Sequence, residues 1–255
     1  MKLWFVLSSA LVVLLTTHSA QASLIVSSLQ TPVLQNFNGL GTGTNLNVLN
    51  SGAWRLGSGA TPNWASGTST LTQVQTGVLG PTAAGGSYNF RDGGNTSDRA
   101  IGFLSSGAFS SPQSIMLQIS NQTGNTLTGL MLEFDYEKYR NGTRAFDMTF
   151  FHSADGINWV AATAGDQSYP ADANNAGGIS TPSVINKSVN ISGLSIANNS
   201  FYYLRWNYAG VGGSTNGQAI GIDNFYISAV PEPTAFFLVS PLAGLLFVRR
   251  RRRSA

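Results

Sequence analysis

The chain has 255 residues, of which 42% are hydrophobic and only 10% charged, with 29 glycines, two histidines and no cysteine. That is enough apolar material for a real core and too little charge for a solvated disordered chain, while the missing cysteines exclude disulfides, thiolate nucleophiles, zinc-thiolate sites and iron–sulfur clusters. The formal charge of +3 belongs to the ends: between Ser23 and Ala229 eight basic residues stand against ten acidic ones, a balance of −2, so the body lacks the gathered basic face that nucleic acid requires.

The N-terminus reads as an address. Met1-Lys2 supplies one positive charge, Leu3 to Leu15 is apolar-rich, and Ala20-Gln21-Ala22 ends the segment with small residues. This order predicts a secretory signal peptide over residues 1–22, cleaved after Ala22, with Ala20 and Ala22 as the two small residues that the cleavage site needs. The apolar run is short for a hydrocarbon core of about 30 Å, which disfavours a retained anchor. Loss of the leader removes His18 and leaves His152 as the mature chain's histidine.

Gly39 to Gly86 is rich in Gly, Ser, Thr and Asn and reads as loops with short strands around Trp54 and Leu71. Beyond it, apolar residues alternate in short runs, the period of half-buried strands. Ile115, Leu117 and Ile119 share a face, as do Leu130, Leu132, Phe134 and Tyr136, with Met131, Glu133, Asp135 and Glu137 on the reverse. Phe146, Met148 and Phe150 alternate next, then Tyr202, Leu204, Trp206 and Tyr208 with Arg205 on the reverse, and Ala219 to Ser228 reads as the last strand. Turn residues separate these runs at Thr123-Gly124-Asn125, Asn141-Gly142, Asp155-Gly156, Asn198-Asn199 and Gly212-Gly213. The Asn141-Gly142 and Asp155-Gly156 pairs predict hairpins. No helical stripe of useful length interrupts the pattern. Residues 23–229 are therefore expected to form an all-β body, a single β-sandwich or jelly roll large enough to stand without disulfides.

An ordered series of short motifs runs through that body: Asn36-Phe37-Asn38-Gly39-Leu40, Trp54 and Trp64, Ser97 to Gly102, Asn121 to Thr128, Glu137-Lys138-Tyr139-Arg140, Ser153 to Trp159, Leu204-Arg205-Trp206 and Ile222-Asp223-Asn224. Together they resemble a large β-sandwich module of bacterial surface proteins, with departures at Tyr139 and Asn224. The resemblance implies a lectin-like jelly roll, concanavalin A-like or galactose-binding-like, and a place outside the cell. It implies no chemistry.

Glu133-Phe134-Asp135-Tyr136-Glu137 is the constellation with catalytic potential, because residues two apart on a strand project from one face. A carboxylate pair is what glycoside hydrolysis uses, and the segment is similar to the Glu-x-Asp-x-Glu strand of lectin-fold endoglucanases. That likeness implies Glu133 as nucleophile, Asp135 as its modulator and Glu137 as acid/base. Lys138, Arg140 and Arg144 stand nearby and suit the competing reading, an ion-pair network on a polar face. Asp98-Arg99 and Asp223 read as buried paired charges; the functional alternative is a calcium site, since that cation takes oxygens from Asp, Asn and carbonyls, although no run has EF-hand or RTX spacing. Ser153 to Trp159 is similar to an Asp-box turn one residue short and reads as a tight turn with Trp159 packed back on the sheet. His152 reads as a strand residue; without a second mature histidine or a Gly-x-Ser-x-Gly elbow, no Ser-His-Asp triad is expected. Gly39-Leu40-Gly41-Thr42-Gly43 lacks the strand and helix that frame a phosphate cradle.

At the other end, Val230-Pro231-Glu232-Pro233 precedes fifteen mostly apolar residues, Thr234 to Val248, and the cluster Arg249-Arg250-Arg251-Arg252-Arg253. The prolines are expected to stop the last strand before the motif. As a helix the apolar segment measures about 22 Å at 1.5 Å per residue, so it spans a membrane only with thinning or snorkelling, its arginines staying cytoplasmic. Residues 230–255 strongly resemble the PEP-CTERM sorting tail of Gram-negative bacteria. The resemblance implies recognition by an exosortase, transient anchoring in the inner membrane, removal of the helix and delivery to the outer surface or the exopolysaccharide matrix. The expected protein is thus a structural or adhesive component of the envelope or biofilm matrix, with no catalysis, cofactor or metal residue assigned. Two alternatives stand beside it: a carbohydrate-binding module using Trp54, Trp64 or Tyr139 as stacking platforms, and a β-glycoside hydrolase using Glu133 and Glu137.

Overall fold

The computed structural model describes residues 23–174, 177–212 and 216–231. The predicted signal peptide, Glu232 and Pro233 of the expected sorting motif, the predicted membrane segment at 234–248 and the arginine cluster lie outside the described residues. Fourteen strands among those described form two sheets. They are β1 (Leu24–Val26), β2 (Val33–Gln35), β3 (Trp54–Ser58), β4 (Gln73–Val74), β5 (Gly86–Arg91), β6 (Arg99–Leu104), β7 (Gln113–Asn121), β8 (Leu127–Asn141), β9 (Ala145–Ser153), β10 (Val160–Ala161), β11 (Gln167–Tyr169), β12 (Gly177–Ile196), β13 (Phe201–Val211) and β14 (Ala219–Pro231). Sheet A runs β1-β7-β13-β9-β10, with β3 also on β7 and β11 on β9. Sheet B runs β12-β8-β14-β6-β5-β4, with β2 also on β14. The long strands change sheet at almost every step (β7 in A, β8 in B, β9 in A, β12 in B, β13 in A, β14 in B), the connectivity of a jelly-roll sandwich.

The alternation read from the sequence sorts side chains as expected. Ile115, Leu117 and Ile119 of β7, the even residues Leu130 to Tyr136 of β8, Phe146, Met148 and Phe150 of β9, and Tyr202 to Tyr208 of β13 all turn into the space between the sheets. Trp206 lies at the centre. Its ring meets Trp54 at 5.8 Å in a stack, Phe134 at 5.4 Å and Phe225 at 5.5 Å edge-on, and Phe150 at 5.1 Å. Each such pair adds about 0.5–1.5 kcal/mol beyond the area it buries.

Two expectations need correction. Asn141-Gly142 is not a hairpin turn: it carries the chain from β8 in sheet B to β9 in sheet A. Turn chemistry fixes where the backbone reverses, not which strand it then pairs with. Asp155-Gly156 does close a hairpin, with β10 paired to β9 through Val160 and His152. The last strand also continues past Ala229 into the motif. Pro231 stands opposite Leu127, and its carbonyl accepts from Thr128 Oγ1 at 3.0 Å. A strand's terminal position tolerates a missing N–H.

Among the described residues no helix is long and apolar enough to cross a membrane. Trp206→Ala should lower the unfolding free energy by about 3–5 kcal/mol in urea titration, while Ile157→Ser, on the exposed β9–β10 turn, should stay within about 0.5 kcal/mol.

Candidate functional site

Sheet B turns its second face away from the core, and β8 places Met131, Glu133, Asp135, Glu137 and Tyr139 along it. Opposite them β12 places Ser188 against Glu133, Asn186 against Asp135 and Val184 against Glu137. On the other side β14 aligns Asp223 with Asp135 and Gly221 with Glu137. The three predicted carboxylates therefore do share a face. Their surroundings divide it into a covered end and an open end.

The covered end is a second, smaller core. The rings of Tyr88 and Phe90 stack at 5.0 Å and those of Phe90 and Tyr139 at 4.5 Å, packed with Leu79, Ala100, Leu104 and Ala219. Gly221 makes room for Phe90, since a Cβ there would stand 3.0 Å from the ring. The loop at 92–98 is tied across by the Gly93 N–H, which donates to the Ser180 carbonyl at 2.7 Å. Glu137 is only 5% exposed and accepts from the Tyr139 hydroxyl on Oε2. Burial pushes Glu137 up to about 7 against the lowering effect of that hydrogen bond. Asp223 is fully buried, with neither carboxylate oxygen in hydrogen-bond geometry among the described residues. Burial pushes it up to about 9; the Asn224 amide opposes the rise, and the charges of Glu137, Asp98 and Asp135 add to it.

Among the described residues no ion pair joins Glu133, Asp135 or Glu137 to the neighbouring basic side chains. Lys138 binds Asp172 at 2.7 Å, Arg140 donates to the carbonyls of Gly80 and Pro81, and Arg144 donates to Gly212 and covers Phe146 at 5.1 Å. Lys138 and Arg140 are one step out of phase with Glu137, and the pleat sends them elsewhere. Nor are Asp98, Arg99 and Asp223 paired. Arg99 Nε and Nη1 are buried with no hydrogen-bond partner among the described residues, and its backbone N–H donates to Asn38 Oδ1 at 2.8 Å.

The open end has a different character. Tyr226 (40% exposed) and Met131 (53%) stand with Glu133, Ser188, Ser228 and Pro32 around a shallow groove of about 140 Å³. Beside it Asp135 is fixed by two amides at 3.0 Å each, Asn186 Nδ2 on Oδ1 and Asn224 Nδ2 on Oδ2. Tyr226 was missed by the alternation, because it follows the core residue Phe225 and faces outward only through a bulge at Asn224, whose φ is +47°. A positive φ at an asparagine in a strand pattern is the one local cue to that bulge.

The aromatic platforms named from sequence are not available as platforms. Trp54 is enclosed by Phe37 and Trp206, Tyr139 lies in the covered stack, and Trp64 is buried against Tyr203 with the Arg55 guanidinium over it at 4.8 Å. On sheet A, Arg205 is held between Phe151 at 4.0 Å and Trp159 at 5.0 Å, and Trp159 Nε1 donates to the Pro62 carbonyl, so this tryptophan packs back as expected. The Asp155 carboxylate accepts from the Ile157 and Asn158 amides at 2.8 Å, which hold it well below the usual carboxylate range and lock the turn. The Gly41 and Gly43 carbonyls accept from Asn89 Nδ2, so the glycine-rich segment presents acceptors, the wrong polarity for phosphate.

No protein-family model and no curated protein sequence matches the chain. Among solved structures, the K1 cleaved adhesin domain of Lys-gingipain from Porphyromonas gingivalis W83 is similar at 12% identity and a TM-score of 0.41, over 78% of this chain and 98% of that one. TmCBM61 in complex with β-1,4-galactotriose is similar at 13% identity and a TM-score of 0.28, over 52% and 71%. The CBM22-1–GH10 modules of Clostridium thermocellum endo-1,4-β-D-xylanase 10B, complexed with xylohexaose, are similar at 11% identity and a TM-score of 0.35, over 79% and 28%. All three likenesses are remote in sequence and incomplete in space.

His152 Nδ1 meets the Tyr202 hydroxyl at 2.6 Å, and burial lowers the imidazole below its usual range. The fold therefore favours neutral His152. That contribution is complete above about pH 6.5, the unfolded value, and is lost as pH falls through the lower folded one. Thermal melts at pH 7.5 and 5.5 should show the wild type losing more stability on acidification than His152→Gln; equal losses would contradict the assignment.

Proposed function

We propose that the chain is an exported surface module that holds a glycan on the open end of the outer face of sheet B, with a structural or adhesive role and no catalysis. The observation that carries this reading is Tyr226. It is a half-exposed aromatic in a strand, set in the groove between Met131, Glu133, Ser188 and Ser228, with the Asp135–Asn186–Asn224 cluster alongside. An apolar ring face flanked by a few fixed polar groups is what a sugar's alternating CH and OH surface needs. The hydrolytic alternative is weakened by Glu137: an acid/base must reach the glycosidic oxygen, and this carboxyl is buried and held by Tyr139.

Export and sorting complete the proposal. The signal peptide over 1–22 directs secretion, and Val230-Pro231-Glu232-Pro233, the apolar segment and Arg249 to Arg253 direct an exosortase to release the chain from the inner membrane to the outer surface or matrix of a Gram-negative cell. The order and spacing of these residues support this part.

On a glycan array, or in affinity electrophoresis through β-linked polysaccharides, Tyr226→Ala should abolish retention while leaving the melting temperature near wild type. Retention equal to wild type would remove the groove from the reading. In the native host, replacing Glu232 and Pro233 together should yield a protein heavier than the wild-type mature form; an unchanged mature mass would end the sorting reading.

A further inference from the structure

On the flank of the sandwich away from β12, the segment 68–72 crosses from β3 in sheet A to β5 in sheet B. Thr68 exchanges backbone hydrogen bonds with Leu56 at 2.7 and 2.9 Å, and the Thr72 N–H donates to the Ser87 carbonyl at 3.0 Å. Between these ends the Leu71 N–H donates to the Thr44 carbonyl at 2.8 Å and the Leu46 N–H to the Ser69 carbonyl at 2.7 Å. An extended backbone held in this way alternates its side chains. Leu71 enters the core, while Thr68, Thr70 and Thr72 stand exposed in a row. That row lines a cleft of about 180 Å³. Its other walls include Ser58 at the end of β3, Gln113 at the start of β7 and the half-buried ring of Phe109, which lies on Phe103 at 6.4 Å. Gly57 lets Pro62 close one side, since a Cβ there would stand 2.5 Å from the proline Cβ.

The lining of this cleft carries no charged side chain. The hydroxyls of Ser58, Thr68 and Thr70 make no hydrogen bond among the described residues, and each can turn to donate or to accept. Gln113 donates its amide N–H to the Ser110 carbonyl at 2.7 Å, which leaves its oxygen as an acceptor. The backbone edges of β3 and β5 are already bonded to the crossing segment, so a peptide adding as a strand finds no ladder here. An anion finds no counter-charge. We propose that the cleft binds one uncharged sugar ring, a chain end or a branch, with its CH face on Phe109 and its hydroxyls on Ser58, Thr68 and Thr70. Its volume falls below the roughly 300–1,000 Å³ of sites for drug-sized ligands, so it holds a single ring and leaves the rest of the saccharide in solvent. The cleft shares no lining residue with the Tyr226 groove and does not rest on the reading of that groove. Both can be filled at once, which gives the module two points of attachment.

The test is a titration of the isotope-labelled chain with methyl β-glucoside, methyl β-galactoside and methyl β-xyloside, followed through its backbone amide signals, with galacturonate as the charged control. At least one neutral glycoside should shift the Thr68, Thr70 and Phe109 amides saturably, at about millimolar dissociation constants, and galacturonate should shift them less. Thr68→Val combined with Thr70→Val, nearly isosteric and on the surface, should weaken that binding about tenfold by removing two hydrogen-bond partners, with the melting temperature near wild type. Should the pair disturb folding, Ser58→Ala at the exposed end of β3 should show a smaller weakening. Tyr226→Ala should leave the cleft shifts unchanged whatever it does to retention on a polysaccharide, so the two sites fail separately. No saturable shift at these amides with any neutral glycoside, or shifts confined to the residues around Tyr226, would overturn the cleft. So would wild-type affinity in the double variant or, in its place, in Ser58→Ala, and galacturonate binding as strong as the neutral sugars would overturn the class of ligand.

Discussion

One backbone residue sets the character of sheet B's outer face. Asn224 takes a left-handed conformation and inserts a bulge into β14, so that Ile220 and Ile222 point into the core before it and Phe225 and Ile227 after it. A strand without the bulge would have to send either Ile222 or Ile227 outward, since side chains alternate strictly. The extra residue keeps four core contacts, and it also turns both Asp223 and Tyr226 outward although they are three positions apart. Asp223 then falls under the aromatic roof, Tyr226 beyond it. The Asn224 side chain, freed by the same bulge, reaches Asp135.

The two ends of that face differ in what lies above them. Over Glu137 and Asp223 the sheet is covered on both sides, and the effective dielectric falls accordingly; carboxyls there are held far from their aqueous behaviour. Over Glu133 and Tyr226 the sheet meets solvent. The same Glu-x-Asp-x-Glu spacing therefore yields three different groups: an exposed acid, an acid fixed by two amides, and a buried acid that accepts a hydrogen bond from a tyrosine hydroxyl. Rigid neighbours give the open groove a fixed floor, which a binding surface needs if its ordering cost is to be small.

Much of the fold was legible from period-two alternation. The core faces of β7, β8, β9 and β13 follow it residue by residue, because each packs one face on a shared interior. The long edge strand β12 was not legible: its sequence, rich in Ser, Asn and Gly, carries little alternation, and it is a strand because β8 supplies a ladder from Gly177–Asn141 to Ile196–Leu127. Sheet membership was equally hidden, since Asn141-Gly142 specifies a reversal and not a partner. At the site, the positions of Glu133, Asp135 and Glu137 were readable but their burial was not, because the roof comes from residues about 40 to 60 positions earlier in the chain. Trp54, Trp64 and Tyr139 suggested platforms by size alone. Large rings more often serve the interior, and here all three do.

The reach of β14 to Pro231 has a mechanical consequence. β14 is an inner strand, laddered to β8 on one side and to β6 and β2 on the other. Tension applied beyond its last residue would run along the strand axis and load those ladders side by side, in shear, instead of opening them bond by bond as peeling an edge strand does. A chain tethered from that point and gripped at the face formed by β8 and β12 would resist being pulled apart through many backbone bonds at once.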